Sequence, residues 1–244
     1  MEGYIDWQTL FFFFIVYSVI GWLLEVIFHI YTEKKLINRG FLYGPICPIY
    51  GNGAVLMIIF LTPLEHNVLY LFIGGVVVAT VIEYITGYIL ELAFDTKWWD
   101  YSSEPWNIKG YICIRFSLMW GIGALFLMKV IHPKVASWIA AIPSIMVPIL
   151  YHGILIAFVV DLTLTIHSLI EFRTILKELR AIKEELNKKL KDREQEWDLI
   201  KRAQGIQMKF KKRHISFLRI YPHLTKGKLE EFLKTIKSKK RDVK

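Results

Sequence analysis

The sequence predicts an all-α, polytopic membrane protein: five transmembrane helices containing a parallel two-helix internal repeat, followed by a cytoplasmic coiled-coil helix. Three observations carry this reading. Apolar runs of membrane length recur five times, charge is segregated along the chain, and a heptad pattern begins where the last apolar run ends. With 54% hydrophobic residues and a mean hydropathy of +0.38 over 244 residues, the chain is too apolar for an ordinary soluble domain. Its net charge of +9 is unevenly placed, with −3 on residues 1–165 and +12 on residues 166–244. We therefore divide it into a transmembrane domain (1–165), a cytoplasmic coiled-coil helix (166–202) and a basic amphipathic tail (203–244).

A helix crossing a hydrocarbon core needs about 20 predominantly apolar residues. Residues 10–31, 43–63, 68–94, 111–131 and 135–164 meet that need, each bounded by charge, proline or an aromatic side chain. A cleaved leader is not expected, because the opening "MEGYIDW" places Glu2 and Asp6 where a positive segment belongs. Loop charge sets the orientation. Lys34, Lys35 and Arg39 occupy the first loop and Lys97 and Lys109 the third, whereas "PLEHN" in the second has no Lys or Arg and the fourth holds only Lys134. Because cytoplasmic loops carry the excess of Lys and Arg, the expected product is a multi-pass protein of the cell membrane with its N-terminus outside and its C-terminus cytoplasmic.

The first four spans contain an internal repeat. "GWLLEVIF" (21–28) recurs as "GYILELAF" (87–94), an offset of 66, and "RGFLYGPICPIYGNGAVL" (39–56) recurs more loosely as "KGYICIRFSLMWGIGALF" (109–126), an offset of 70. Two spans separate the copies, so both face the same way, a parallel repeat. The fifth span stands outside the pattern.

Helix breakers crowd the start of the second span, where residues 38–53 hold four glycines and two prolines. Pro45 and Pro48 cannot both lie inside a regular helix, since each lacks an N–H and clashes with the preceding turn. Two readings fit. One is a bent or broken helix lining a wet cavity. The other is a loop that ends late, with Gly51 and Gly53 permitting close helix packing.

Glu25, Glu83, Glu91, Arg115 and Asp161 fall within apolar stretches, where an ionised group is costly and faces a cavity or a partner. Glu83, Gly87 and Glu91 share one face of the third span at i, i+4 and i+8. Arg115 is the natural counter-charge for Glu25 or Glu91, and His152 sits mid-way along the fifth span. Glu83, Glu91, Glu25, Arg115 and His152 are accordingly the candidate ligand-binding residues. The competing use of Glu25 and Glu91 is as static pins between helices, and of His152 as a packing hydrogen bond. Cys47 and Cys113 form no metal-ligand spacing, and no nucleophile elbow or HExxH signature occurs, so no catalytic centre, metal or cofactor is expected. In the third loop, "DTKWWDYSSEPWN", the tryptophans suit either an interfacial anchor or a lid that turns Asp100 and Glu104 toward a ligand.

The phrases "GWLLEVIFH", "NRGFLYGPICPIYGNGA", "EYITGYILELAF", "WWDYS" followed by "NIKGYICIRFSLMWG", and "FLRIYPHL" resemble the bacterial membrane family labelled putative ABC-transporter type IV, or CmpB-like. The resemblance covers most of residues 8–165 and implies a permease. It carries over no ligand or catalytic residues. As the chain holds no GxxxxGK[ST] phosphate loop, the resemblance also implies a separate ATPase subunit.

Beyond the spans, Leu162, Leu169, Leu176, Leu190 and Trp197 occupy one heptad position, and Phe172, Leu179, Leu186 and Ile200 the other. Such a pattern suits a helix continuing from the fifth span that pairs with a partner or a second copy of the chain. Basic residues interleaved with Phe217, Leu218, Ile220, Leu229, Phe232 and Leu233 in the tail suit an anionic inner leaflet. No nucleic-acid-binding motif accompanies that charge. Two functions follow: a permease or transporter component with a polar cavity in the cytoplasmic half of the bilayer, or a non-transporting scaffold or sensor presenting its coiled coil and tail to a cytoplasmic partner.

Overall fold

The computed structural model describes residues 6–34, 41–94, 97–188 and Arg202. These residues are mostly helical, with one two-stranded hairpin. Among them, four helices are long and apolar enough to cross a membrane: Trp7–Tyr31, Val68–Ala93, Ile114–Ala140 and Met146–Ile175.

Helix α1 (Trp7–Glu33) begins where Asp6 Oδ1 accepts the Thr9 N–H at 2.6 Å, satisfying one of the orphan amides of the first turn. It ends at Lys34, which turns left-handed with φ 53°. Helix α3 (Val68–Phe94) opens in a similar way, with Asn67 Oδ1 accepting the N–H groups of Leu69 and Tyr70 at 3.0 and 3.1 Å.

The second apolar segment is shorter than expected. Residues 41–47 are non-helical, and α2 (Pro48–Leu61) has 14 residues before a 3-10 turn at Thr62–Leu64. Pro48 opens it, where a missing N–H has no intrahelical partner to lose. The fourth and fifth spans also differ from expectation. Helix α4 (Ile114–Phe126) runs through a π-helical turn, Leu127–Ile131, directly into α5 (His132–Ala140). Pro133 lies in the first turn of α5, and the wider turn ahead of it accommodates the ring and the lost N–H without ending the helix. Lys134 is therefore helical, and the connection falls at residues 141–145, which include Pro143. Ahead of α4, β1 (Asn107–Ile108) and β2 (Ile112–Cys113) pair antiparallel.

Helix α6 (Met146–Lys188) is 43 residues long without a break. By packing, the chain forms two compact units, residues 1–92 with 99–165, and residues 93–98 with 166–244. In the second unit Leu169, Phe172, Ile175 and Ile182 of α6 are buried. Heptad positions Leu190, Trp197 and Ile200, and the tail from residue 203, lie outside the described residues.

In the first unit a buried cluster gathers Phe13 and Tyr17 of α1, Ala54, Met57, Ile58 and Leu61 of α2, Leu71 and Ala79 of α3, and Ala124, Met128 and Val135 beyond them. Helix α6 joins through aromatic edges, Phe11 to Tyr151 at 5.2 Å and Phe14 to Phe158 at 5.3 Å between ring centroids. Ile73, Val77, Val81 and Ile85, four residues apart along α3, are exposed as a lipid-facing stripe requires. Close approach of α1 and α2 depends on Gly51, where a Cβ would overlap Ser18 Oγ and the Phe14 carbonyl, whereas a Cβ on Gly53 would meet nothing within 4 Å. Substituting Gly51→Ala should lower the melting temperature of the purified protein, by about 1–3 kcal/mol of overpacking. Gly53→Ala should leave it unchanged or raise it, since alanine is the better helix former by about 1 kcal/mol. Equal melting of the two variants would disprove this contact between α1 and α2.

Candidate functional site

Every N–H group from residue 43 to 47 has a hydrogen-bond partner. The N–H groups of Tyr43 and Gly44 donate to Asp161 Oδ1 and Oδ2 of α6 at 2.9 and 2.8 Å. Ile46 N–H turns back to the Gly44 carbonyl at 2.8 Å, and Cys47 N–H reaches the Ser18 carbonyl of α1 at 3.0 Å. Pro45 and Pro48 have no N–H to place. This non-helical backbone thus meets protein partners instead of depending on water. Both sequence readings contribute. The helix starts late and Gly51 packs tightly, as the loop reading requires, but the loop itself is built and pinned.

Glu25 and Glu83 face a common set of aromatic side chains. Tyr50, in the first turn of α2, donates to Glu25 Oε1 at 2.6 Å. Its ring meets Trp120 of α4 edge to face, with centroids 6.0 Å apart. Trp120 also interacts with the carboxyl group of Glu83, and Tyr101 donates to Glu83 Oε1 at 3.0 Å. Glu83 is only 8% exposed, and its Oε2 is buried with no hydrogen-bond partner. Burial, and then the Glu83 charge, pushes the Tyr101 phenol up from its ordinary range, so it remains a donor at physiological pH. Phe116 stacks on the Tyr101 ring at 4.6 Å.

The third loop folds over this group. Trp99 Nε1 donates to the Tyr111 carbonyl at 2.8 Å, and Tyr101 N–H donates to the Gly110 carbonyl at 2.9 Å. Asn107 ties the loop together by donating to the Glu104 carbonyl at 2.8 Å while accepting the Gly110 N–H at 3.1 Å. Trp106, at 83% exposure, points outward as an interfacial anchor would. Asp100 accepts from Ser102, and Glu104 pairs with Arg115, so both acids have partners within the loop and its margin.

The five sequence candidates therefore separate. Glu25 and Glu83 come together. Glu91 lies further along α3, hydrogen-bonded to Tyr111, with one buried oxygen lacking a partner. Arg115 takes Glu104 at 3.6 Å instead of Glu25 or Glu91. His152 is exposed on α6, its Nδ1 2.7 Å from the Pro148 carbonyl, a local bond away from the carboxylates. Sequence reasoning passed over Tyr50 and Trp120, and took Tyr101 only as part of the aromatic third loop. Tyr50 and Trp120 are 70 residues apart, the offset at which the stretches 39–56 and 109–126 align, which was the available signal. It also passed over His132, whose Nδ1 lies 3.0 Å from Tyr17 Oη against the face of Phe13. Among the described residues no group of three or more His, Cys, Asp or Glu is placed to hold a metal ion.

Compared with known families, residues 12–166 match the one described as Putative ABC-transporter type IV. The chain belongs to this family. No curated protein and no solved structure matches it. Membership, with four apolar helices of membrane length, makes the protein a multi-pass membrane protein related to transporters, and the carboxylate group lies in its matched part.

Cys47 reports on the pinned segment. It is buried, so maleimide labelling should be slow at pH 8. Asp161→Asn removes one of two charge-assisted acceptors, a loss of about 1–3 kcal/mol. In a Cys113→Ser background it should speed Cys47 labelling at least about tenfold, as about 1.4 kcal/mol requires. An unchanged rate would mean that Asp161 does not hold this segment.

Proposed function

We propose that this protein is the membrane-embedded, substrate-handling component of a transporter, with Glu83 and Glu25 lining the path and energy supplied by a separate ATPase subunit. The observation that carries this reading is Glu83 itself. A carboxylate in the middle of an apolar span, buried with one oxygen unpartnered, is expensive to keep and marks a ligand or ion pathway in membrane proteins. Family membership supports the class, and the lack of a phosphate-binding loop in the sequence supports a partner in trans.

The finer architecture belongs to the same proposal. In it five apolar segments, counting the short α2, cross or enter the bilayer, with the N-terminus outside and the polar group toward the cytoplasm, as the loop charges favour. A parallel repeat underlies the first four segments, and burial supports it. Phe13, Tyr17 and Gly21 are buried on α1, as are Ala79, Glu83 and Gly87 at an offset of 66 on α3. Leu42, Cys47, Gly51, Ala54 and Ile58 are buried, as are Ile112, Ser117, Gly121, Ala124 and Met128 at an offset of 70. The extension of α6 would dock the ATPase or a second copy of the chain through its heptad face, and the basic tail would rest on anionic lipid.

Purification from the native membrane should bring down an ATPase in fixed stoichiometry. In that complex Glu83→Gln should lower transport-linked turnover at least about tenfold, roughly 1.4 kcal/mol of barrier, while leaving the melting temperature and assembly intact. If Glu83→Gln is silent while removal of residues 166–244 abolishes function, the protein is a scaffold or sensor and the permease reading fails.

A further inference from the structure

The group around Glu83 has a composition that selects among ligands. Tyr50, Trp120 and Tyr101 supply aromatic surface from α2, α4 and the third loop, while Glu25 and Glu83 supply negative charge from α1 and α3. Among the described residues no lysine or arginine reaches Glu83. Arg115, the cation on α4 closest to Trp120, lies 5.7 Å over the Phe116 ring, is 67% exposed at its side chain and is paired with Glu104. Glu83 Oε2 is thus buried with no hydrogen-bond partner and no cationic side chain beside it among the described residues.

We propose that Glu83, walled by Trp120, Tyr101 and Tyr50, is a binding site for an organic cation bearing an amine or quaternary ammonium group. The assignment rests on the transport reading above and names the class of its substrate. A bare metal ion fits poorly. Hard divalent cations want six or more oxygen ligands, and the described residues offer no cluster of three acidic, His or Cys side chains. Aromatic faces instead favour large, weakly hydrated cations, because the ring quadrupole attracts the charge while the ring body covers the carbon around it. The anionic oxygen then fixes the charged end, and the phenol and indole donors hold the carboxylate in place.

The test uses the full-length protein in lipid nanodiscs, with benzyltrimethylammonium as the probe and neopentylbenzene as its neutral isostere. The cation should change tryptophan fluorescence saturably, and the isostere should neither do so nor compete. Glu83→Gln, shown to be folded by circular dichroism and melting, should weaken binding at least tenfold. Should that variant not fold, Tyr101→Phe takes its place with a smaller loss expected, and the cation-against-isostere comparison on the unaltered protein still decides. Equal response to cation and isostere, absence of saturation, or unchanged affinity in the folded Glu83→Gln protein overturns the assignment. A failure here with an ATPase still co-purifying sinks only the ligand class. Cation binding in a preparation that carries no ATPase sinks only the energy source.

Discussion

Two backbone amides and one carboxylate hold the rest of the membrane part in register. Tyr43 and Gly44 donate to the two oxygens of Asp161, which fixes the segment before α2 against α6. From that anchor the chain reaches Cys47, bonded to the Ser18 carbonyl, and then turns into α2 at Pro48. Helix α2 begins where it does because the preceding amides are already satisfied, and its start places Tyr50 against Glu25. A shift of α2 by one residue in register would rotate Tyr50 by about 100° around the helix axis, and the phenol would leave the carboxylate. Gly44 is small for the same reason, since a Cβ there would stand 2.8 Å from Asp161 Oδ2.

The polar group then grows outward by contact. Tyr50 meets Trp120, Trp120 meets Glu83, and Glu83 takes Tyr101 from a loop that Asn107 has folded back on itself. Five separate pieces of chain thus contribute to one site, and each is positioned by a bond formed elsewhere. Hydrophobic burial cannot do this by itself in a membrane, because lipid tails compete for the same surfaces. Small residues at the contacts and hydrogen bonds between segments do it instead, with Gly51 and Gly121 letting helix pairs close up.

The sequence made α1 and α3 legible because each is a long apolar run with a polar side chain at its start, Asp6 and Asn67. The late start of α2 was one of two readings the helix breakers allowed, and hydropathy does not choose between them because it counts side chains and is blind to backbone satisfaction. The partner of Tyr43 lies 118 residues away, and a carboxylate that accepts from amides leaves no motif. The boundary between the fourth and fifth spans was set at residues 132–134, where Lys134 interrupts the apolar run, whereas a π turn carries the helix through Pro133 and Lys134. Glu25 and Glu83 stand out in the sequence through the cost of charge in an apolar span. Their aromatic neighbours do not, since tyrosine and tryptophan are common in membrane helices and only tertiary contact distinguishes a site from a belt. Arg115 was assigned to the wrong acids for a related reason: Glu104 belongs to a loop whose fold no local pattern reveals.

The brevity of α2 has a physical consequence for the lipid around it. Fourteen helical residues rise about 21 Å, against a hydrocarbon thickness of about 30 Å, and Ile59 and Phe60 at its far end are exposed. In the proposed five-segment arrangement the acyl chains beside this helix compress or headgroups dip inward, and either response costs free energy for each ångström of mismatch. Sterol-rich or long-chain bilayers raise that cost, and thin ones relieve it. Bilayer thickness is thereby coupled to the segment that carries Tyr50, so the composition of the host membrane becomes a variable in how firmly this end of the bundle is held.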